Sequence, residues 1–328
     1  MEKLQLEKIK LERLKAFLDL VEIRTKVASI LPFFVGTLYA ITRYHRFNLT
    51  NALLMFFSLL MIDMATTSAN HYMDYKKAIL KEGFHYEKHN PIARAIYNVK
   101  HAKWIIIALV AFGAFLGVVL AVQTDWIVLW IGMFSFLVGL LYSFGPVPIS
   151  RTPMGEAVSG FFMGVVIVGL SVYIHIVPLG IVTYNLTGNE AIFFLNWREI
   201  INIIVVGLPM MFLISNIMLA NNTCDMAEDE VNKRMTLPIL IGEEQATKLY
   251  LWAVYGAYAA IVLGIMIEAL PPIQVASLAT FPILRVKSWQ FVEHPVKSDT
   301  FVLAVKNFVI FSSVYILGFL LYAVQQIL

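Results

Sequence analysis

Two polar strings interrupt a hydrophobic chain, and their residue types suit the binding of a hard cation. The first reads Ser68-Ala69-Asn70-His71-Tyr72-Met73-Asp74-Tyr75-Lys76-Lys77, the second Asn221-Asn222-Thr223-Cys224-Asp225-Met226-Ala227-Glu228-Asp229. Asn70 and Asp74 stand one helical turn apart, and Thr67 and Asp63 continue that stripe at i−3 and i−7 from Asn70. Asn221, Asp225 and Asp229 repeat the pattern at i, i+4 and i+8. Carboxylate and carboxamide oxygens are donors for Mg²⁺, which takes one or two carboxylates together with substrate phosphates and retained waters. Lys76, Lys77, Lys233 and Arg234 lie close by in sequence. Such bases repel a bare metal but complement a polyanion, such as a diphosphate, placed between them and the metal. The plainer reading of either string alone is a set of solvated loop acids.

The elements that position these strings are membrane helices. The chain has 328 residues, 59% hydrophobic and 14% charged, where soluble domains carry about 25% charged residues. Nine segments have the composition of membrane-crossing helices: 22–41, 51–69, 103–122, 126–144, 155–177, 200–220, 247–268, 270–284 and 305–325. The eighth is short and flanked by prolines. Residues 1 to about 15 alternate Leu or Ile with Lys, Glu and Arg, the composition of an amphipathic helix lying in the interface. No cleavable signal pattern opens the chain, and the single cysteine excludes an intrachain disulfide. The expectation is an all-α, polytopic membrane protein: an interfacial helix over 1–21, then one nine-helix domain over 22–328.

Charge orients that bundle. With a cytoplasmic N-terminus, 22 of the 25 Lys and Arg residues fall on the cytoplasmic side, leaving Arg43, Arg46 and Arg198 opposite. The C-terminus then lies outside. Both polar strings emerge on the cytoplasmic face, together with Arg24 and Lys26 and the string Tyr142 to Arg151. Two acidic strings on one face shift the balance from loop acids to a functional cluster. Asp63 lies deeper, between apolar neighbours, and is either a functional acid or a hydrogen-bonded packing residue. Glu156 opens the fifth segment, where a helix N-terminal acid is also an ordinary feature. His71, His85 and His89 fit no zinc spacing, and Cys224 has no His or Cys partner at ligand spacing. Gly113-x-x-x-Gly117 and Gly160-x-x-x-Gly164 permit close helix contact.

At these residues the chain resembles the UbiA-type intramembrane prenyltransferases, and most of all the branch that prenylates 1,4-dihydroxy-2-naphthoate in menaquinone synthesis. Arg24-Thr25-Lys26 is similar to that branch's opening, and Asn70, Tyr72, Asp74 and Lys77 to the first family motif. Tyr142, Gly145, Pro146, Pro148 and Gly155-Glu156 match the central loop; Asn221-Asn222, Asp225, Asp229, Arg234 and Thr236-Leu237 match the second motif. The chain departs from the pattern at His71, Ala227 and Ala78 or Leu80, where acids are usual. It departs again at Cys224, a usual Arg, and Lys233, a usual Gly.

The resemblance implies nine helices around a central cavity capped by cytoplasmic loops, in the plasma membrane. Mg²⁺ would be held by Asn70, Asp74, Asn221, Asp225 and Asp229, with Asp74, Asp225 and Asp229 carrying catalysis. Arg24, Lys26, Lys77, Tyr142, Arg151 and Arg234 would bind the diphosphate or the acceptor, with Asp63, Thr67 and Glu156 in support. Its partners would be a polyprenyl diphosphate, an aromatic acceptor and membrane lipid, with no nucleic acid. The competing function class is a secondary transporter using its intramembrane acids, for which two related acidic strings hint at the internal repeat that class usually shows. A third is a relative with a different acceptor.

Overall fold

The computed structural model describes residues 2–77, 91–92, 99–187 and 190–327; the side chains of residues 2–10, 74, 77, 186, 190 and 191 lie outside that description. His85, His89, Ala78 and Leu80 fall outside it entirely. The elements are α1 (Glu2–Leu20), a 3-10 turn (Ile23–Lys26), α2 (Val27–Tyr44), α3 (Leu49–Lys77), α4 (Val99–Gln123) and α5 (Trp126–Ser143). Next come α6 (Gly155–Leu179, with a π segment at Phe161–Val166), a hairpin of β1 (Val182–Thr187) and β2 (Glu190–Leu195), and α7 (Trp197–Cys224). The short α8 (Met226–Val231) and α9 (Leu237–Ile241) lead into α10 (Glu243–Met266), α11 (Phe281–Glu293) and α12 (Phe301–Ile327).

Eight of the described helices are long and apolar enough to cross a membrane. The segment expected at 270–284 takes another form: a 3-10 helix over Pro272–Thr280 that passes into α11. Pro282 lacks the N–H that an uninterrupted α-helix needs at that point, which fixes the change of winding there. At 3-10 and α rises the two parts span roughly 18 Å and about 20 Å, enough for a hydrocarbon core of about 30 Å. They run antiparallel along α12, where Gln274 Nε2 donates to the Tyr315 carbonyl at 3.0 Å and Asn307 Nδ2 to Ser288 Oγ at 3.0 Å.

Two further boundaries differ from expectation. The helix expected to end at residue 69 continues to Lys77, and the one expected to end at 220 continues to Cys224. An apolar run measures only the layer it crosses, whereas the polar turns beyond it stay helical because they pack against neighbouring segments. The two-stranded hairpin was also not expected in an all-α chain. It pairs Val182 with Leu195 through to Thr187 with Glu190. The β-branched and aromatic residues of Val182-Thr183-Tyr184 and Ile192-Phe193-Phe194 favour it.

The core is built where α2, α6, α7, α10 and α12 meet, around Tyr39, Val168, Met210, Tyr250, Phe311 and Phe319. By contrast α4 and α5 lie at the periphery, with Trp104, Phe115, Trp130 and Phe134 exposed on faces fit for lipid. Close approach of α6 to α7 depends on small residues: a Cβ on Gly164 would lie 2.2 Å from the Met211 nitrogen, and one on Gly160 1.9 Å from Ser215 Oγ. Gly164→Val therefore forces the helices apart, at a cost of about 1–3 kcal/mol or more. A clear fall in melting temperature in detergent is expected for Gly164→Val. Gly132→Ala should leave it unchanged, since a Cβ there meets nothing within 4 Å.

Candidate active site

The chain enters the bundle through a left-handed residue, Glu22 (φ 45), and the 3-10 turn that follows aims Lys26 inward. Lys26 is 1% exposed. Its Nζ donates to Asp63 Oδ1 at 2.7 Å and to Thr67 Oγ1 at 2.6 Å, while Ser29 Oγ donates to Asp63 Oδ2 at 2.5 Å. The deep acid is thus fully satisfied, and both readings given for it are refined: Asp63 is the partner of a buried cation. Lys26, which the resemblance assigned to phosphate or acceptor, is committed to that pair in this structure. Removing one partner would strand the other, a loss of about 3–5 kcal/mol for a buried pair.

The second string starts on the last turn of α7. Asn221 and Asp225 are linked across one turn, Asn221 Nδ2 donating to Asp225 Oδ2 at 3.2 Å. Lys297, from the loop before α12, donates to Asn221 Oδ1 and to Asp225 Oδ2, each at 2.5 Å. One turn on, Asp229 is 1% exposed, with Arg234 Nη1 3.2 Å from its Oδ1 and Thr236 Oγ1 donating to its Oδ2 at 3.1 Å. Arg234 Nη2 also donates to the Ser150 carbonyl at 3.2 Å, and the Met235 nitrogen to the Arg151 carbonyl at 3.1 Å. The central loop is thereby stitched to the second string. Below it Asn222 Nδ2 donates to the buried Glu156 Oε1 at 2.8 Å, and the Tyr142 hydroxyl is buried nearby.

Glu22 stands against the first string. Its carboxylate lies 3.1 Å from His71 Nε2 on the first string. Burial pushes the Glu22 carboxyl up, but the His71 hydrogen bond and charge, with Lys26 and Lys297 at longer range, hold it below its ordinary value. Asn70 is half-buried, Arg24 exposed and Arg151 half-buried, while the side chains of Asp74 and Lys77 lie outside the described residues.

Among the described residues no three His, Cys, Asp or Glu side chains gather as a metal cluster. Asp225 and Asp229 each face a cationic side chain instead. The donor set nonetheless suits a hard ion, being all oxygen, and the buried Asp229 Oδ1 accepts no hydrogen bond. Glu22, Ser29 and Lys297 were not singled out from sequence. Only Lys297 left a trace there, as a basic residue on the face that holds both strings.

Lys233 sits at φ 54, between Asn232 at the end of α8 and Arg234. The Arg234 nitrogen donates to the Asp229 carbonyl and the Lys233 nitrogen to the Glu230 carbonyl, the paired bonds of a Schellman turn. A left-handed position explains why glycine is the usual residue there. Lys233→Gly should relieve about 1 kcal/mol of backbone strain, read as a raised melting temperature with activity retained.

Burial pushes Asp229 up to about 6, against the opposing pull of Arg234. Its raised value means the folded chain holds this proton more tightly than the unfolded chain. A cation binding there must displace that proton once the pH falls below about 6. Mn²⁺ affinity should therefore be flat above pH 7 and fall by up to about tenfold per unit below pH 6, as measured by electron paramagnetic resonance. Asp229→Asn should abolish that slope.

Comparison with known proteins accords with this geometry. Residues 29–322 match the model of the UbiA prenyltransferase family. The chain is 31% identical over 242 residues to the 1,4-dihydroxy-2-naphthoate octaprenyltransferase of Bacillus subtilis (strain 168), covering 70% of each protein. Its fold is similar to the apo structure of a UbiA homolog from Aeropyrum pernix K1, with a TM-score of 0.68 at 18% identity over 90% of this chain and 98% of that one. A UbiA homolog from Archaeoglobus fulgidus, solved with GPP and Mg²⁺, gives a TM-score of 0.59 at 16% identity over 94% of this chain and 99% of that one. With its apolar helices, its two polar strings and this relatedness, the chain belongs to the UbiA prenyltransferase family and is a multi-pass membrane prenyltransferase.

Proposed function

We propose that the chain transfers a polyprenyl group from its diphosphate to 1,4-dihydroxy-2-naphthoate, giving demethylmenaquinone in its reduced, quinol form, at the cytoplasmic face of the plasma membrane. The observation that carries this reading is the paired carboxamide and carboxylate of Asn221 and Asp225, aimed together at one cation. The acceptor follows from the Bacillus subtilis relative, and the use of a prenyl diphosphate with Mg²⁺ from the Archaeoglobus fulgidus structure.

Asn70, Asp74, Asn221, Asp225 and Asp229 would hold Mg²⁺, which when bound offsets the negative charge gathering on the departing diphosphate. Arg24 is exposed and so free to meet an incoming anion. With Lys77, Arg151 and Arg234, it would bind phosphate or the acceptor carboxylate through charge-assisted hydrogen bonds. Cleavage of the allylic C–O bond sends its electron pair to pyrophosphate and leaves a carbocation. The electron-rich ring forms the new C–C bond, after which loss of the acceptor carboxylate as CO₂ restores aromaticity. The apolar interior set by α2, α6, α7 and α12 keeps water from the cation.

Asp225→Asn should lower pyrophosphate release about 100-fold or more while the melting temperature in detergent stays near wild type; full activity in that variant would sink the metal assignment. Membranes given Mg²⁺, a prenyl diphosphate and a panel of aromatic acids should yield a decarboxylated, prenylated dihydroxynaphthalene by mass. Product from another acid alone would replace the acceptor.

A further inference from the structure

Lys297 is the unabsorbed feature of the site. Its ammonium occupies the point where Asn221 Oδ1 and Asp225 Oδ2 converge, at 2.5 Å from each. Those are two hard oxygen donors one helical turn apart, the type of pair a divalent cation takes. The Asn221 carboxamide is oriented for this task, because its nitrogen donates to Asp225 and so turns its oxygen toward the cation.

The lysine is delivered by a well-defined turn. Thr300 is buried, its Oγ1 accepts from the Val296 nitrogen at 2.9 Å, and the Thr300 nitrogen donates to the Val296 carbonyl at 2.9 Å. The turn fixes where the Lys297 backbone stands, while the four-carbon stem leaves its head able to move. Lys297 is half-buried, and its Nζ lies 5.1 Å from the centre of the Phe301 ring, a second surface that favours a cation. Asp229 is held otherwise: Arg234 is fixed by both Asp229 and the Ser150 carbonyl, and Thr236 adds a further bond. Of the two acid–base pairs in the second string, only the one with Lys297 is built to exchange.

We propose that Lys297 is a stand-in cation for the second string, displaced from Asn221 and Asp225 by the divalent metal and then pairing with the substrate's diphosphate. The assignment rests on the prenyl-transfer reading and names a substrate-binding residue for it. A displaced ammonium on a short turn needs a new anion, and the diphosphate bridging to the same metal is the one at hand. The same lysine would then oppose metal binding in the empty enzyme and favour diphosphate binding in the loaded one. Metal and diphosphate would bind together more readily than either alone.

The full-length protein in detergent tests this with two probes, Mn²⁺ followed by electron paramagnetic resonance and inorganic pyrophosphate followed by calorimetry. Lys297→Met keeps the apolar stem and removes the charge. It should raise affinity for Mn²⁺ alone by about 3–10-fold and lower pyrophosphate affinity in saturating Mn²⁺ by about tenfold. Lys297→Arg should restore pyrophosphate binding. In steady-state assays Lys297→Met should raise KM for prenyl diphosphate more than it lowers kcat. Lys297→Gln substitutes if the Met variant fails to fold, with the same two shifts expected. Unchanged or weakened Mn²⁺ affinity in the neutral variants overturns the proposal, because a purely structural lysine would not compete with the metal. Wild-type protein that binds neither probe overturns this proposal and the prenyl-transfer reading together. Wild-type binding of both, with variants identical to it, overturns this one alone.

Discussion

Carboxylates at the edge of a low-dielectric layer cannot stand alone, and the arrangement of this molecule follows from that cost. An uncompensated charge there loses several kcal/mol of hydration, so each acid must find a cation or a set of donors. Asp63 has Lys26 and Ser29; Asp229 has Arg234 and Thr236; Asp225 has Lys297 and Asn221. These contacts join segments far apart in sequence. Lys26 ties the entry to α2 onto α3, Arg234 ties the second string to the central loop, and Lys297 ties the start of α12 to the end of α7. On the polar face, charge pairing is the feature that sets how these ends meet.

The three pairs differ in how far they can open, and that difference divides structure from chemistry. Lys26 is sealed, with its partners on all sides, so its pair fixes the entry of α2. Arg234 is partly exposed but held by two elements at once, so Asp229 is buttressed deep in the site. Burial raises the proton affinity of Asp229, a cost that an added cation offsets. Lys297 is half-exposed on a single turn and is the member with room to leave. The three cations thus grade from locked to exchangeable as their exposure rises.

Much of this was legible in sequence because it rests on counts and spacing. Apolar runs marked nine segments, and eight helices long enough to cross a membrane are present among the described residues. The i, i+4 relation of Asn221 and Asp225 became a hydrogen bond. The unread parts have physical reasons. Hydropathy registers the lipid layer and not the polar turns that continue past it, so α3 and α7 were placed short at their inner ends. Pro282 breaks the α pattern without stopping the chain from crossing, so the 3-10 segment looked like a short helix. Lys297 lies 72 residues from Asp225, and a partner that distant leaves no periodic trace. Lys26 and Asp63 are similarly separated, by 37 residues, so no spacing in the sequence pairs them.

The departures from the family pattern take on meaning in this light. At His71 the motif lacks its usual acid, yet a carboxylate stands 3.1 Å from that imidazole, supplied by Glu22 at the end of α1. At Cys224 the usual arginine is missing, yet an ammonium reaches the adjacent Asp225, supplied by Lys297. Both replacements come from the segments flanking the motifs in space, not in sequence. Electrostatic interaction depends on where charge lies and not on which residue bears it. The site therefore keeps a carboxylate and a cation at its rim although the local strings lost them. Glu22 adopts a left-handed backbone conformation to reach its place, a cost that an unneeded residue would not be expected to bear. A motif thin in acids in sequence thus stands, in three dimensions, beside charges brought from other segments.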